Sequence, residues 1–165
     1  MPVIKIETYI AADIQVVFNL SQSIDLHLVS ASQTNEKAIA GKTTGLIGLG
    51  ESVTWQARHF GINQRLSIVI AEFEEPYYFA DEMTKGAFAA MRHEHTFKQI
   101  GDKVLMTDVF KYKSPLGILG KLADVLFLER YMRKFLMKRN RVLKEIAEDP
   151  NKYKKILPLY SGRIT

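Results

Sequence analysis

The chain has 165 residues, 47% of them hydrophobic and 25% charged, with one tryptophan and no cysteine. That length suits a single domain with a genuine core, and the lack of cysteine excludes disulfides, thiolate chemistry and Cys-based zinc or iron–sulfur sites. The net charge of +5 is unevenly spread: residues 1–110 carry 9 Lys+Arg against 13 Asp+Glu, whereas residues 111–155 carry 13 against 5.

Val3–Ile10 (VIKIETYI) alternates well enough for a first strand. It is short and contains Lys5 and Glu7, so it does not read as a secretory leader, and a cytoplasmic protein is expected. Asp13 suits the N-cap of a short helix through Val17, Phe18 and Leu20. Ser21–Val29 gives a second short helix, with Ser23 or Asp25 near its start, and Glu36–Ile39 a brief strand before a turn from Gly41 to Gly45. Two short helices after one strand, followed by a run of strands, is an α+β order rather than a βαβ one.

From Gly50 to Lys113 the sequence shows no helical period. Strands are expected at Glu51–Phe60, Asn63–Phe73, Pro76–Thr84, Ala89–Ile100 and Lys103–Lys113, with turns at Gly61–Ile62, Lys85–Gly86 and Gly101–Asp102. The result is a meandering antiparallel sheet. With Gly101 and Asp102 central in the last turn, His95 opposes Asp108, Phe97 opposes Met106, His93 opposes Phe110, and Met91 opposes Tyr112. With Gly61 and Ile62 central in the earlier one, Trp55 opposes Ile68, Ala57 opposes Leu66, and Val53 opposes Ile70. Opposed residues share a face, so each hairpin has one mostly apolar side. The other side carries Thr54, Gln56, Arg58 and Arg65 in one hairpin, and Arg92, Glu94, Thr96, Thr107 and Lys111 in the other.

A long helix is expected from Pro115 to Ala147, laid across the apolar face of the sheet. Leu128, Tyr131, Met132, Phe135, Leu136, Val142, Leu143 and Ile146 recur at three- and four-residue steps, with Arg130, Arg133, Lys134, Arg141 and Lys144 opposite. Leu119, Leu122, Ala123 and Leu126 form a stripe rotated from the later one, so the helix is bent or made of two halves. Its charges are spread too evenly for a membrane span. A basic helix can meet nucleic acid or an anionic membrane surface. With no nucleic-acid motif beside it, the plain reading is a solvated face, and weak membrane-surface contact stays an alternative.

The apolar face also carries His59, His93, His95 and Asp108, with Asp81 a further candidate. Buried polar groups are costly unless satisfied, and several readings account for them. They form an internal hydrogen-bonded network such as His95 to Asp108, or they meet the polar end of a ligand in a cavity. Alternatively, Asp108 orients His95 beside His93 for acid–base work, or three histidines and an aspartate hold zinc. The expectation carried forward is that no metal or other cofactor is bound. No nucleophile motif accompanies the histidines. Gly45–Gly50 (GLIGLG) is followed by no helix pattern, so a dinucleotide site is not expected.

Val53–Gly61 (VTWQARHFG), Phe79–Met83 (FADEM), Lys85–Phe88 (KGAF), Arg92–Phe97 (RHEHTF), Met106–Asp108 (MTD) and Tyr112–Asp124 (YKSPLGILGKLAD) resemble the SRPBCC (START/Bet v 1-like) superfamily. The likeness is to its bacterial polyketide-cyclase/dehydrase-like members and runs from about Val3 to Ile146. It implies an α+β helix-grip fold: about seven antiparallel strands wrapped around a long C-terminal helix, two short helices after strand one, and a cavity between sheet and helix. Carried over by position, Trp55, His59, Phe79, His93, His95, Asp108, Phe110 and Tyr112 line that cavity from the sheet, and Leu119, Leu122, Ala123 and Leu126 from the helix. Residues 1–150 are expected as one domain, with 151–165 as a tail outside the resemblance.

The leading expectation is a binding protein for a small apolar or amphipathic molecule that is lipid, sterol-like or polyketide-like. The alternative is a cyclase- or dehydratase-like enzyme using His95–Asp108 and His93, since such folds host both carriers and catalysts. A third reading is a lipid-surface or partner-docking module acting through the basic helix.

Overall fold

The computed structural model of the chain describes residues 1–115, 117 and 127–157. Among them, seven strands form one antiparallel sheet in the order β1-β7-β6-β5-β4-β3-β2. These are β1 (Val3–Ile10), β2 (Lys37–Gly41), β3 (Ser52–His59), β4 (Ile62–Glu74), β5 (Tyr78–Lys85), β6 (Ala90–Ile100) and β7 (Lys103–Lys113). Helices α1 (Ile14–Gln22) and α2 (Ile24–Ser30) lie between β1 and β2, and α3 (Glu129–Ala147) and α4 (Pro150–Ile156) follow the sheet.

The helix boundaries follow from their caps. Asp13 accepts from the Gln15 amide at 2.8 Å and opens α1. Ser23 closes α1 through its own N–H to the Leu20 carbonyl and opens α2 by accepting from Leu26 N at 3.1 Å. One extended residue thus serves both helices and bends the chain sharply between them.

The β6–β7 hairpin has the expected register, including His95 opposite Asp108 and His93 opposite Phe110. The β3–β4 hairpin does not turn at Gly61–Ile62. It turns at Phe60–Gly61, pairing His59 with Ile62, Trp55 with Leu66 and Val53 with Ile68. Phe60 (φ 52) and Gly61 (φ 75) both adopt left-handed backbone, as a type I′ turn requires at its two central residues. Every partner shifts by two positions, which preserves the side of the sheet, so Val53, Trp55 and Ala57 are buried as expected.

On the outer face Arg92 is ion-paired to Glu72 at 2.7 Å, to Glu94 at 2.9 Å and to Glu82, while Lys111 reaches Glu94 at 2.9 Å. On the inner face Phe18 of α1 meets Phe73, Phe79 and Phe97 edge-on, with ring centroids 5.3–5.8 Å apart. Helix α3 buries Leu136, Leu143, Ile146 and Ala147 against this core. Two cations expected on its solvent side also tie it to β1: Arg133 donates to the Lys5 carbonyl at 3.3 Å and Lys144 to the Tyr9 carbonyl at 2.8 Å.

The first half of the expected long helix, with Leu119, Leu122, Ala123 and Leu126, lies outside the described residues. Residues 151–156, expected as part of a tail, belong to α4, which is capped by Asp149. Tyr153 and Ile156 pack on the core and Leu157 is buried. Among the described residues no helix is long and apolar enough to cross a membrane.

Candidate functional site

The pleat sends alternate side chains of a strand to one side, and here that side faces α2 and α3 across a cavity of about 420 Å³. Strand β3 contributes Trp55, Ala57 and His59; β4 contributes Leu66, Ile68 and Ile70; β5 contributes Phe79 and Asp81; and β6 contributes Met91, His93 and His95. Phe110 of β7 completes the sheet wall, and Met132, Phe135, Leu136 and Arg139 of α3 face it.

Of the twelve residues carried over to the cavity from the resemblance, six line it: Trp55, His59, Phe79, His93, His95 and Phe110, and the further candidate Asp81 does so too. Asp108 and Tyr112 are fully buried and stand behind the wall rather than in it. The helix candidates Leu119, Leu122, Ala123 and Leu126 lie outside the described residues.

The inner end of the cavity rests on Asp108. Its Oδ1 lies 3.1 Å from His93 Nε2, 2.8 Å from His95 Nδ1 and 3.4 Å from Arg139 Nη1, while Oδ2 accepts from Asn140 Nδ2 at 2.6 Å. The His95 contact has ion-pair distance but lacks the angle of a hydrogen bond. On its other side His95 Nε2 is 3.3 Å from Asp81 Oδ2, and its ring stacks on Phe79 at 4.2 Å. The His93 and His95 centroids are 3.9 Å apart.

This arrangement separates the two imidazoles electrically. Burial pushes His93 down to about 4, helped by the neighbouring His95 charge. Burial acts the same way on His95, but Asp108 and Asp81 outweigh it and raise its pKa. Burial would raise Asp108, yet the two histidines hold its carboxyl well below the usual carboxylate range. Asp81 is likewise lowered against its burial by His95. The cluster therefore sets the Asp81 and Asp108 carboxylates against the Arg139 guanidinium and an imidazole, His95, that holds its proton more tightly than usual, while His93 is neutral at neutral pH.

A second polar group lies elsewhere. His59 Nδ1 is 2.7 Å from the Tyr131 hydroxyl, and its pKa is lowered by burial. His59 lines the same cavity as His93 and His95, but the register sets it apart from the groups gathered at Asp108. His93 pairs with Asp81, Asp81 with Ile70, and Ile70 bonds to Glu51, which immediately precedes β3 and lies eight residues before His59. The separation along the strand is about 26 Å in a flat sheet, at ~3.3 Å per residue. His27 of α2 stacks on Trp55 at 4.1 Å and lies 3.3 Å from Glu36.

No family model matches the chain, and no curated protein is similar to it. Solved structures are. TTHA0849 from Thermus thermophilus is 17% identical, with 97% of this chain and 100% of that one covered at a TM-score of 0.72. Ginseng major latex-like protein 151 from Panax ginseng is 15% identical, with 90% and 98% covered at 0.65. A START superfamily protein from Mycobacterium smegmatis is 10% identical, with 88% and 97% covered at 0.67. The chain has the SRPBCC (START/Bet v 1-like) helix-grip fold. At these identities the likeness is one of fold, and chemistry has to be argued from the site.

Within this helix-grip frame, sequence reasoning missed Arg139 and Asn140, both buried and both on Asp108. A signal was present: Arg139 is three residues after Leu136 and four before Leu143, so helical spacing places it on the inner stripe. Tyr131 was assigned to that face without its partner His59. His27 and Glu36 carried no comparable pattern.

Proposed function

We propose that the chain binds one small apolar or amphipathic molecule, lipid, sterol-like or polyketide-like, between the sheet and the C-terminal helix. The observation that supports this most is the cavity of about 420 Å³, whose lining is mostly aliphatic and aromatic with a few gathered polar side chains. Small-molecule sites have this form, with apolar area supplying affinity at about 25 cal/mol per Å² and placed polar groups supplying orientation. In this reading Trp55, Phe79 and Phe110 contact the ligand body. His93 and His95 meet its polar end, and His59 a second polar group. Asp108 acts through the histidines, and Tyr112 supports the wall from behind.

Filling the cavity tests this directly. Ala57 is a small, buried lining residue. Ala57→Trp is expected to lower affinity for 1-anilinonaphthalene-8-sulfonate at least tenfold, and to abolish retention of any host-derived molecule seen by native mass spectrometry. Near-ultraviolet circular dichroism checks the fold. Undiminished probe binding in a folded Ala57→Trp protein rejects the cavity as the binding site.

A second reading, a cyclase- or dehydratase-like enzyme, is favoured by the divergence of the two histidines. Neighbouring titratable groups pushed apart make an acid and a base: His95, whose pKa is raised, as general acid and His93, lowered to about 4, as general base. With a polyketide-type carbonyl substrate, activity is expected to fall as pH rises through the raised His95 pKa, because the acid is then deprotonated. His95→Gln should remove that alkaline limb along with most of kcat. Turnover that keeps both in His95→Gln rules out this assignment.

A further inference from the structure

We propose that Asp81, His93 and His95 form a site for a divalent first-row transition cation, with Asp108 as the shared carboxylate that orients both imidazoles. One ligand atom from each of the three residues lies within 4.8 Å of the others. The backbone holds them there: Asp81 and His93 are direct cross-strand partners on β5 and β6, and His95, two residues on, projects to the same face. Ligands carried on paired strands are positioned more rigidly than ligands on loops.

Two further observations fit an ion. His95 Nε2 and Asp81 Oδ2 are 3.3 Å apart. Ligand atoms each ~2.0–2.2 Å from a tetrahedral or octahedral ion sit roughly 3–3.5 Å from one another, so this pair needs little movement. Asp108 Oδ1 meets Nδ1 of His95 and Nε2 of His93, so the nitrogens Asp108 does not engage are His95 Nε2, which already meets Asp81, and His93 Nδ1. A carboxylate behind each ligating histidine, fixing its ring and raising its basicity, is the usual outer support of a metal site. Here one carboxylate hydrogen-bonds to His93 and lies at ion-pair distance from His95.

The donor set selects the ion. Two imidazoles and one carboxylate suit zinc, iron(II), cobalt(II) or nickel(II), whereas magnesium and calcium prefer all-oxygen sites. Three protein ligands leave at least one position open toward the cavity, as catalytic sites do and closed structural sites do not. Charge sets what fills it. Asp81 and Asp108 contribute −2, the ion +2 and Arg139 +1, so an anionic ligand such as a carboxylate end group neutralises the ensemble.

The test is titration of the chelator-treated full chain with Co²⁺, read by d–d absorption, and with Zn²⁺, read by calorimetry and by melting temperature. One equivalent is expected to bind. Asp81→Asn and His93→Gln should each weaken binding at least tenfold, and Asp108→Asn about 10–100-fold, the range found for outer-shell carboxylates. Addition of octanoate should shift the cobalt spectrum of the wild type. Absence of stoichiometric binding to the wild type overturns the proposal. So does binding that Asp81→Asn and His93→Gln leave unaltered, which puts the ion on other groups. Neither result bears on whether the cavity retains an apolar molecule, since Ala57→Trp reads that separately.

Discussion

Asp108→Ala is expected to destabilise the fold by about 3–5 kcal/mol, the range for removing one partner of a buried ion pair, seen as a lower urea midpoint at unchanged slope. Asp108 has no solvent exposure and gathers His93, His95, Arg139 and Asn140 from β6 and α3. Its loss strands the Arg139 charge at 8% exposure and leaves His95 with Asp81 alone. An exposed pair provides the contrast: Lys42 and Glu51 lie 3.0 Å apart near the surface, and Lys42→Ala should cost about 0–1 kcal/mol. Because most of the Asp108 cost is the orphaned charge, Asp108→Leu combined with Arg139→Met should be more stable than Asp108→Ala. A loss below about 1 kcal/mol for Asp108→Ala, comparable to a surface pair, contradicts this account of the network.

That network also shows how far the sequence could be read. Strand order and side-chain faces were legible because antiparallel hairpins alternate with period two and are closed by glycine turns. Gly101–Asp102 set the β6–β7 register, and with it His95 opposite Asp108. Expecting the turn at Gly61–Ile62 rather than at Phe60–Gly61 did no harm to the faces, since each partner shifts by an even number of residues. Distance along a strand was harder to read. His59 shares a face with His93, but only the β4–β5 pairing shows how far apart they lie, and that pairing shifts register between Ser67 and Ile68 and between Ile70 and Glu72. Such bulges leave little trace in composition. Arg139 and Asn140 were hidden for another reason. On a helix rich in Lys and Arg, a cation reads as solvent-facing, and only a buried carboxylate on a distant strand makes burying it tolerable. The helix face was legible, but the partner that brings Arg139 inside was not.

Between pH 6.5 and about 4 the protein is expected to lose about 3 kcal/mol of stability through His93 alone. In the folded chain His93 stays neutral down to about 4, because burial disfavours the imidazolium and the adjacent His95 charge repels a second one. In the unfolded chain it takes a proton near 6.5. Across that window the unfolded state binds more protons, so stability falls as pH falls, and the gap from 6.5 to about 4 corresponds to about 3 kcal/mol. His95 works in the opposite sense. Its folded pKa is raised by Asp108 and Asp81, so its contribution is fully present below 6.5 and is lost as pH rises through the folded value. Asp108 adds a later acid phase: its carboxyl is held well below the usual range, so its contribution persists above about pH 4 and disappears below it. Stability should therefore peak near neutrality and fall in two acid steps, with His93 first and Asp108 second. Urea unfolding at half-unit pH intervals measures this in wild type and in His93→Gln. The variant should lose most of the slope between pH 6.5 and 4, keeping the part that His59, also lowered by burial, contributes, together with the collapse below 4. An undiminished slope in that window would show that the proton taken up there belongs to another group, and that His93 titrates in the fold much as it does in the open chain.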